Sequence, residues 1–571
     1  MRNKKWLKYT IAYICVLLLS FAVYYITLPP INVHSAGFWV FLAFLLFIFI
    51  LPICLFAEKR VIIDMPKKKK KTKKKAGSLT EELFSFLAEE SLNLSKKKLL
   101  LIALIPLVVL MIGGILSSTF FNARRYAAII EVEEAVFKDD MPECETVTNI
   151  ALMDSDTASI VGNRTLGSLS HVVSQYEVSP SYTQINYRYT PKKVANLEYA
   201  GFFKWLGNRA NGLPGYVMVD PVSNTAEYKE YEKPAIYSES GFFGDDLLRK
   251  LRFDYPTKMF GDIKYEVDDE GNPFYIVPCL KPQVSLFGAK DVYEVILFDP
   301  STGESEIYAV DETPAWIDSA FDGYLAMEKY NWKGMYSGGW FNSVIGNKDC
   351  KVTTDDFGYI VIGDDVWYFT GVTSVNSDQS NIGFIISNAR TGEYKFYPVM
   401  GAEEHSAMGA AEGEVQEKGY VASFPALINV KGEATYIMVL KDAGGLVKLY
   451  ALVNVEQYNL VATGETQEKA FAAYKDLLRS EGVLKEDDIE NENKETFTFT
   501  VDRKESYTVG GESTLYFFTE KDGESVIFKC ALKDSEGLLF VEKGDSLTVT
   551  FDESSTKGIF LISSWKKNIQ P

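Results

Sequence analysis

Three long apolar runs come first in the chain, and a region of short alternating strands and tight turns follows them. The uncharged runs cover Tyr9–Leu28, Gly37–Ala57 and Leu99–Phe121. A helix needs about 20 apolar residues to cross the hydrocarbon core of a bilayer, and each run has that length. Three buried helices of a soluble protein are the alternative, which unbroken runs rich in Leu, Ile and Phe disfavour. The pattern therefore predicts transmembrane helices at residues 9–28, 37–57 and 99–121.

The basic residues beside these runs predict an orientation, because short cytoplasmic loops carry an excess of Lys and Arg. Four basic residues precede the first run, Pro29–Ala36 has none, and Glu58–Lys98 has 13. We therefore expect a multi-pass protein of the plasma membrane, with a cytoplasmic N-terminus and an extracytoplasmic region after Phe121. Arg124 and Arg125 oppose this only slightly. Cleavage of the first run as a signal peptide would leave the later region on the same side.

The loop at residues 58–98 is predicted to attract anionic lipid headgroups, since each Lys near a membrane surface contributes about 1 kcal/mol. It lacks the interleaved aromatic residues of a nucleic-acid site, so no nucleic acid is expected as a partner. Between its Lys runs, five apolar residues fall on one helical face: Leu79, Leu83, Phe86, Leu87 and Leu94. Such an amphipathic helix fits the inner leaflet, a partner or the protein's own membrane helices equally well.

Residues 122–480 repeat one pattern of strand, tight turn, strand and helix. The strand and turn recur at Tyr216–Asn224, Val295–Gly303 and Phe384–Gly392. Each turn begins with Asp or Asn, whose side chain bonds to its own backbone, and ends with Asn or Gly, which tolerates positive φ. The helical stretches that follow are predicted at Glu239–Leu251, Pro314–Tyr330 and Ala402–Gln416. A fourth, divergent unit ends in a helix that begins after Thr466. The fold class is therefore α+β, with a modular extracytoplasmic region of repeated units.

Residues 481–571 read as a separate small domain. Period-2 alternation predicts five strands within Glu495–Trp565, and the acidic segment Gly482–Asn493 precedes them as a linker. Five short strands in so few residues favour a small closed or partly open β-barrel.

Three resemblances accompany these patterns. The strand with Asp299-Pro-Ser-Thr-Gly-Glu304 resembles the hairpin of PepSY-type domains, and the C-terminal strands are similar to an OB-like barrel. The body as a whole resembles uncharacterised membrane-anchored proteins of Gram-positive bacteria at Arg249–Pro256, Tyr368–Ser374 and Phe424–Leu427. The resemblance implies a bacterial cell-envelope protein and carries no assigned activity.

Charge separates the two parts of the chain further. Of 571 residues with a net charge of -18, residues 1–121 hold 17 Lys and Arg against 6 Asp and Glu, so the later region is strongly acidic. A basic apolar head on an acidic body excludes a simple cytosolic enzyme, a collagen-like chain and global disorder. An acidic body also argues against nucleic acid as its main partner.

Polar residues between two predicted strands form the first candidate site. A ligand-binding loop over residues 370–381, with Arg390 nearby, is one reading, and a long hairpin is the other. The candidate ligand-binding residues are Thr370, Thr373, Ser374, Asp378, Asn381 and Arg390.

A second candidate is a cation site formed by Glu404, His405 and Glu412 on one predicted helix. The alternative is an acidic helix start, which the helix dipole favours, followed by a small-residue face. The pairing of Cys144, Cys279, Cys350 and Cys530 is left open by their spacing.

The sequence holds only three histidines and none of the common hydrolase, P-loop, dinucleotide or zinc motifs, so no catalytic residue and no cofactor is predicted. We therefore expect a non-enzymatic envelope protein that binds or scaffolds other envelope components, with a protein partner or a second copy as candidates. A carboxylate-dependent extracytoplasmic hydrolase and an accessory subunit of a membrane complex are the alternatives.

Overall fold

The computed structural model describes residues 2–56, 61–63, 92–94, 96–144, 147, 150–375, 377–484, 494–509, 512–521, 524–531, 536–552 and 559–568. The chain forms two compact units, Met1–Tyr474 and Lys475–Pro571. It contains both helices and many sheets, so the α+β class is confirmed.

The N-terminal part is helical apart from one short strand pair. Its elements are α1 (Arg2–Thr27), α2 (Ala36–Phe56), β1 (Val61–Ile63), β2 (Leu92–Leu94), α3 (Lys96–Ala103), α4 (Ile105–Ser117) and α5 (Thr119–Ala127). Two segments, Leu7–Thr27 and Ala36–Leu55, are long and apolar enough to cross a membrane. Most of the Lys-rich loop and its predicted amphipathic helix lie outside the described residues, although Leu94 lies in a strand rather than on a helix face.

The third apolar run is not one straight helix. Leu101–Ser117 and Thr119–Ala127 meet at 52°, so the run counts as a crossing only if the bent pair is a single span. The break is at Ser118, whose backbone is extended. The Asn122 side chain donates to the carbonyls of Leu116 and Ser118, at 2.7 and 3.1 Å, which satisfies groups that a continuous helix would bond itself.

The body begins with two sheets that share a core. The strand β3 (Glu133–Glu134) precedes them in the chain but belongs to the third sheet. The strands of the first two sheets are β4 (Tyr176–Val178), β5 (Thr183–Tyr187), β6 (Thr190–Tyr199), β7 (Leu213–Asp220), β8 (Thr225–Ala235), β9 (Lys264–Val267), β10 (Pro273–Val284), β11 (Gly288–Phe298) and β12 (Ser305–Ala309). The helices are α6 (Phe137–Asp140), α7 (Ser155–Gly167), α8 (Ser170–Val173), α9 (Phe202–Asn208) and α10 (Leu247–Asp254). The first sheet runs β4-β6-β7-β8 with β5 beside β6, and the second runs β12-β11-β10-β9. Leu247 and Leu251 of α10 are fully buried in the core that both sheets contribute to.

Two further sheets share a second core. Their elements are α11 (Gly323–Tyr336), β13 (Lys351–Thr353), β14 (Gly358–Ile362), β15 (Asp365–Ser374), β16 (Ser377–Asn388), β17 (Tyr394–Tyr397), β18 (Gly401–Ala402), α12 (Glu404–Glu414), β19 (Val421–Ala422), β20 (Ala426–Val430), β21 (Glu433–Lys441), β22 (Val447–Asn454), β23 (Val461–Gly464) and α13 (Gln467–Ser480). The third sheet runs β13-β15-β16-β17-β3, and the fourth runs β19-β21-β22-β23. Ala407 and Ala411 of α12 are buried between them, because small side chains let the helix approach both sheets.

The three repeated turns are confirmed as hairpins, β7–β8, β11–β12 and β16–β17. In each, the side-chain Oδ1 of Asp220, Asp299 or Asn388 accepts hydrogen bonds from the two backbone N–H groups two and three residues later. The sequence rule that predicted these turns is therefore the interaction that forms them.

The helices that follow the hairpins begin later than predicted. They begin after Asp246, Asp322 and Glu403, whose carboxylates accept hydrogen bonds from backbone N–H groups of the first turn. Such N-caps set the start of each helix more strongly than the apolar periodicity upstream of them.

The second unit holds six strands where five were predicted. They are β24 (Lys494–Thr500), β25 (Arg503–Val509), β26 (Glu512–Lys521), β27 (Glu524–Ala531), β28 (Ser546–Asp552) and β29 (Ile559–Asn568). Their order is β24-β28-β29-β27-β26-β25, with β27 and β29 parallel. The strand that was not predicted is β25, which begins after Val501 and Asp502; the N–H of Val501 donates to the Asp545 carbonyl and that of Asp502 to the Phe518 carbonyl.

The ends of the N-terminal apolar helices are hydrogen-bonded to the body of the same unit. Arg252 of α10 is only 4% exposed and donates to the carbonyl oxygens of Leu28, Tyr255 and Lys258, at 3.0, 3.3 and 2.6 Å. The Ile31 N–H donates to the Pro256 carbonyl at 2.7 Å. Directly before the break at Ser118, the Ser117 Oγ accepts hydrogen bonds from the backbone N–H groups of Leu286 and Phe287, at 3.2 and 3.0 Å.

We expect Arg252→Met to lower the free energy of unfolding by about 2–4 kcal/mol, because three buried carbonyl groups lose their charged donor. Thermal or denaturant unfolding of the purified full chain in detergent measures this. Lys250→Met is the matched control, since its ion pair with Asp254 is on the surface of the same helix and contributes under about 0.5 kcal/mol. An Arg252→Met protein as stable as the control would contradict the role of this contact.

Candidate functional site

The polar residues predicted as a ligand loop lie on the long β15–β16 hairpin, which was the alternative reading. Thr370 and Thr373 are buried on β15 and Ser374 ends that strand. Asp378 and Asn381 are on β16, although nothing is described of the Asp378 side chain. Arg390 lies in the turn that follows β16 and binds both carboxylate oxygens of Asp365, at 2.7 and 3.0 Å. The six residues therefore do not line one loop.

The hairpin does meet the helix that carries the second candidate site. Glu404 is fully buried, and its carboxylate accepts from the Gly371 N–H at 2.5 Å and from Thr354 Oγ1 at 3.1 Å. Thr354 Oγ1 also lies 2.7 Å from Thr370 Oγ1. Burial raises the pKa of Glu404 to about 7, although hydrogen bonds from the backbone and Thr354 oppose the shift.

These contacts leave the predicted cation site without structural support. Both carboxylate oxygens of Glu404 bind the protein, and Glu412 accepts from the Ala422 N–H at 2.9 Å. The His405 ring lies 6.4 Å from the Phe424 ring. Among the described residues, no group of three or more His, Cys, Asp or Glu is placed to hold a metal ion.

A cavity of about 300 Å³ lies where the four sheets of the body meet; we call it the central pocket. The first sheet contributes Gln184 and Lys193, which are paired across β5 and β6. The second contributes Lys264 at the start of β9, and Asp322 comes from the N-cap of α11. Residues of β14, β15 and the segment before β20 complete the lining. No single repeat unit forms this cavity.

Lys193 is the unusual member of the lining. It is only 3% exposed, and its ammonium nitrogen lies 5.1 Å from the centre of the Tyr359 ring. Within the described part of the chain, no hydrogen bond or ion pair involves this ammonium group. Burial lowers the pKa of Lys193 to about 8, and the charge of Asp154 only partly opposes this. A buried cation that lies over an aromatic ring and has no hydrogen-bond acceptor among the described residues is able to bind an acceptor group that enters the pocket.

Four aspartates surround the same cavity at Asp154, Asp262, Asp322 and Asp356. Asp154 caps α7 and binds Lys441, and these hydrogen bonds outweigh the effect of burial and leave its pKa below the ordinary value. Asp262 and Asp322 lie 2.5 and 3.7 Å from the ammonium of Lys264. The carboxylates are thus already ordered by the protein and offer acceptors to a ligand in the pocket.

Aromatic rings form the remaining wall. Phe357 has its ring centre 5.1 Å from that of Tyr324 and 5.2 Å from that of Tyr368, both nearly edge to face. Tyr359 and Tyr368 are 5.5 Å apart. Rings locked against one another present a fixed surface on which the apolar part of a ligand can pack.

Sequence reasoning missed the central pocket. Its one local signal is Lys193 itself, a charged residue directly before the apolar Val194 and Ala195 in a strand. The pairing of Lys193 with lining residues more than 120 positions away depends on how the sheets pack, which no local pattern encodes.

Two further buried carboxyl groups, Glu266 and Asp318, lie close together outside the central pocket. The Asp318 N–H donates to Glu266 at 2.9 Å, and the Asn186 N–H donates to Asp318 at 2.6 Å. Burial raises the pKa of both carboxyl groups, and their mutual repulsion adds to this for Asp318. Neither residue is among those that line the central pocket.

Comparison with known proteins adds little. No model of a protein family matches the chain, and no curated protein matches it. Among solved structures, p202 HIN1 in complex with 12-mer dsDNA aligns at 12% identity over 38% of this chain and 95% of that chain, with a TM-score of 0.11. A similarity at that TM-score carries no argument about fold or ligand.

We expect the buried Glu404 to make stability depend on pH. The folded chain keeps this proton up to a pKa of about 7, whereas the unfolded chain releases it near 4.5. The associated stability is therefore complete below pH 4.5 and is lost as the pH rises through 7, by about 3 kcal/mol in total. Denaturant unfolding at pH 4.5 and pH 8 should show a smaller loss for Glu404→Gln than for the wild type. The exposed Glu414→Gln is the control, and equal losses in both variants would refute the assignment.

Proposed function

We propose that this chain is a membrane-anchored, non-enzymatic binding protein of the bacterial cell envelope, with a ligand site in the central pocket. The observation that carries the proposal is the Lys193 ammonium, which is buried beside a cavity and has a ring rather than a carboxylate next to it. A cation in that position is costly unless a ligand supplies the missing acceptor. The scaffold role predicted from the sequence stays part of this proposal.

The lining indicates the chemistry of the ligand. Lys193 suits a carboxylate or another acceptor, while Asp322 and Asp356 suit amino or hydroxyl donors. The aromatic wall suits a short apolar part between them. A free amino acid or a dipeptide has all three features, and a cavity of about 300 Å³ is at the small end of ligand sites.

The alternative of a carboxylate-dependent hydrolase has less support. Such an enzyme needs a carboxyl group that is still protonated near neutral pH and reaches the substrate. The carboxyl groups whose pKa burial raises to about 7 or far above its usual range, Glu266, Asp318 and Glu404, are not among the pocket-lining residues.

Contacts between the membrane helices and the body support the proposed topology. The loop between α1 and α2 bonds to the body through Ile31 and through Asn32, whose amide donates to the Thr257 carbonyl at 2.8 Å. A loop and a domain in contact are on the same side of the bilayer, so an even number of crossings separates them. The second helix is one crossing, which favours the bent Leu101–Ser117 and Thr119–Ala127 pair as the other. With the Lys-rich loop cytoplasmic, the body is then extracytoplasmic.

The remaining resemblances also stay proposals. If β24 and β25 count as one bent strand, the second unit has five strands and its path returns to the first, as a small OB-like barrel requires. The Asp299 hairpin is proposed to be PepSY-like on the basis of its turn alone. The proposed partners are anionic lipid headgroups at the Lys-rich loop and either an envelope protein or a second copy of the chain.

The ligand proposal is tested by thermal shift of the purified full chain against the free amino acids and a panel of dipeptides. Any compound that stabilises the protein is then titrated by calorimetry against Lys193→Met, which keeps the side-chain volume and removes the charge. We expect affinity to fall at least about tenfold, since a hydrogen bond to a charged group contributes about 1.5–3 kcal/mol. Lys204→Met, outside the pocket lining, is the control. Unchanged affinity in Lys193→Met, or no binder in the panel, would reject this ligand class.

The topology proposal is tested by labelling intact cells with a membrane-impermeant maleimide. Tyr189→Cys, at a residue 80% exposed on the body, should react without permeabilisation. Lys71→Cys in the Lys-rich loop should react only after the cells are opened, and the wild type gives the background from its native cysteines. The reverse order of reactivity would invert the proposed orientation.

A further inference from the structure

Two exposed apolar patches of the body lie beside the ends of membrane helices. We call the first the α9 patch; it comprises Phe202, Phe203, Leu206, Phe242 and Phe243, packed around the buried Trp205. Phe203 is 83% exposed and Phe243 is 56% exposed. Phe243 also has a φ of 53°, a left-handed backbone that a bulky residue seldom adopts and that directs this turn outward.

The α9 patch is tied to the end of α1 through one arginine. Arg249 donates to the Phe243 carbonyl at 2.5 Å, and its guanidinium lies 4.3 Å from the centre of the Tyr25 ring. Phe253, also half exposed, packs its ring 6.0 Å from Tyr24 and 6.2 Å from Tyr25. The patch is thus within one side chain of the last turn of the candidate span Leu7–Thr27.

We call the second the Trp340 patch. It comprises Trp340, Phe341, Val344 and Ile345, of which Ile345 is 78% and Phe341 is 68% exposed. The Trp340 ring lies 4.8 Å from that of Phe120, three residues after Ser117 at the break of the third apolar run. The exposed Arg124 and Arg125 follow on the same short helix.

The length of the first span fixes the depth of these contacts. Leu7–Thr27 has 21 residues, and at about 1.5 Å per residue this just covers a hydrocarbon core of about 30 Å. Tyr25 is two residues from its end, so a side chain that stacks on Tyr25 is at the boundary between hydrocarbon and headgroups. Aromatic rings are enriched at that depth, and arginines beside them reach lipid phosphates.

From this continuity with both membrane helices, we infer that the α9 patch and the Trp340 patch insert into the outer leaflet, so that the body rests on lipid at two points. The occupant is the bilayer on which the body is anchored, rather than a second copy or another protein. Exposed apolar area of this kind is unfavourable in water, and contact with lipid removes it from water. This inference rests on the proposed anchoring and is independent of the central pocket.

The test places an environment-sensitive NBD label at Phe203→Cys or Ile345→Cys in the full chain, reconstituted as single copies in phosphatidylcholine nanodiscs. Nanodiscs with a nitroxide on the lipid headgroup then quench labels at the leaflet surface. The control is Tyr189→Cys, an aromatic position of equal exposure in the β5–β6 turn, and wild-type protein labelled in parallel gives the background. A fourth variant, Leu18→Cys at the middle of the first span, reports on the anchor itself.

We expect labels at 203 and 345 to be quenched at least about twofold more than the label at 189, and to emit at shorter wavelength. Quenching at 203 and 345 equal to that at 189 overturns the inference, and an emission shift that grows with protein concentration without lipid quenching assigns the patches to a second copy. Leu18→Cys distinguishes the two proposals. If acyl-chain nitroxides quench the Leu18 label and the labels at 203 and 345 are not quenched, the lipid contact of the patches is rejected and the membrane anchor is retained. If the Leu18 label is not quenched, the anchor itself is rejected.

Discussion

One buried cation of the first unit, Arg252, joins the first apolar helix to the sheets of the body. Its guanidinium reaches the carbonyl of Leu28, directly after the first apolar helix, and two carbonyls of the body. Carbonyls at a helix C-terminus lack partners within the helix and carry partial negative charge, so a planar cation with several donors suits them. Removing that cation would leave buried acceptors without partners. This contact, with the hydrogen bonds of Ile31 and Ser117, therefore holds the body against the ends of the apolar helices.

The four sheets of the body pack in two pairs, and each pair shares one hydrophobic core. Each repeat has one sheet and one short helix, which is too little apolar surface to bury alone. The first and second sheets close over α10, and the third and fourth close over α12. Polar contacts then join the two pairs, such as that between the Asn186 amide and Asp364 at 3.0 Å. The central pocket lies at this joint, because sheet edges with charged residues do not pack as densely as the two cores.

Lys193 differs from the other buried charged residues in how the cost of its burial is offset. Lys329, which is equally buried, lies 2.7 Å from Asp291, so its charge is neutralised within the protein. Glu404 avoids the same cost by keeping its proton. Lys193 has no ion pair of this kind among the described residues, and the cost of burying it is offset only in part, by the Tyr359 ring and by the charge of Asp154. That contrast is why the pocket, rather than the hairpin and helix chosen from the sequence, carries the functional proposal.

The sequence by itself determined the two apolar helices, which are long enough to cross a membrane, and the three hairpin turns, because hydrophobic length and Asx turns act within a few residues. It also determined that a β-rich body follows a basic, apolar head. Only the tertiary structure decided that Glu404 meets Gly371, that the third apolar run bends at Ser118, and that Lys193 lines one cavity with aspartates from distant parts of the chain. Those outcomes depend on which sheets share a core and on where polar groups freed from regular structure find partners. Such choices are made between segments far apart in the chain, where local periodicity carries no information.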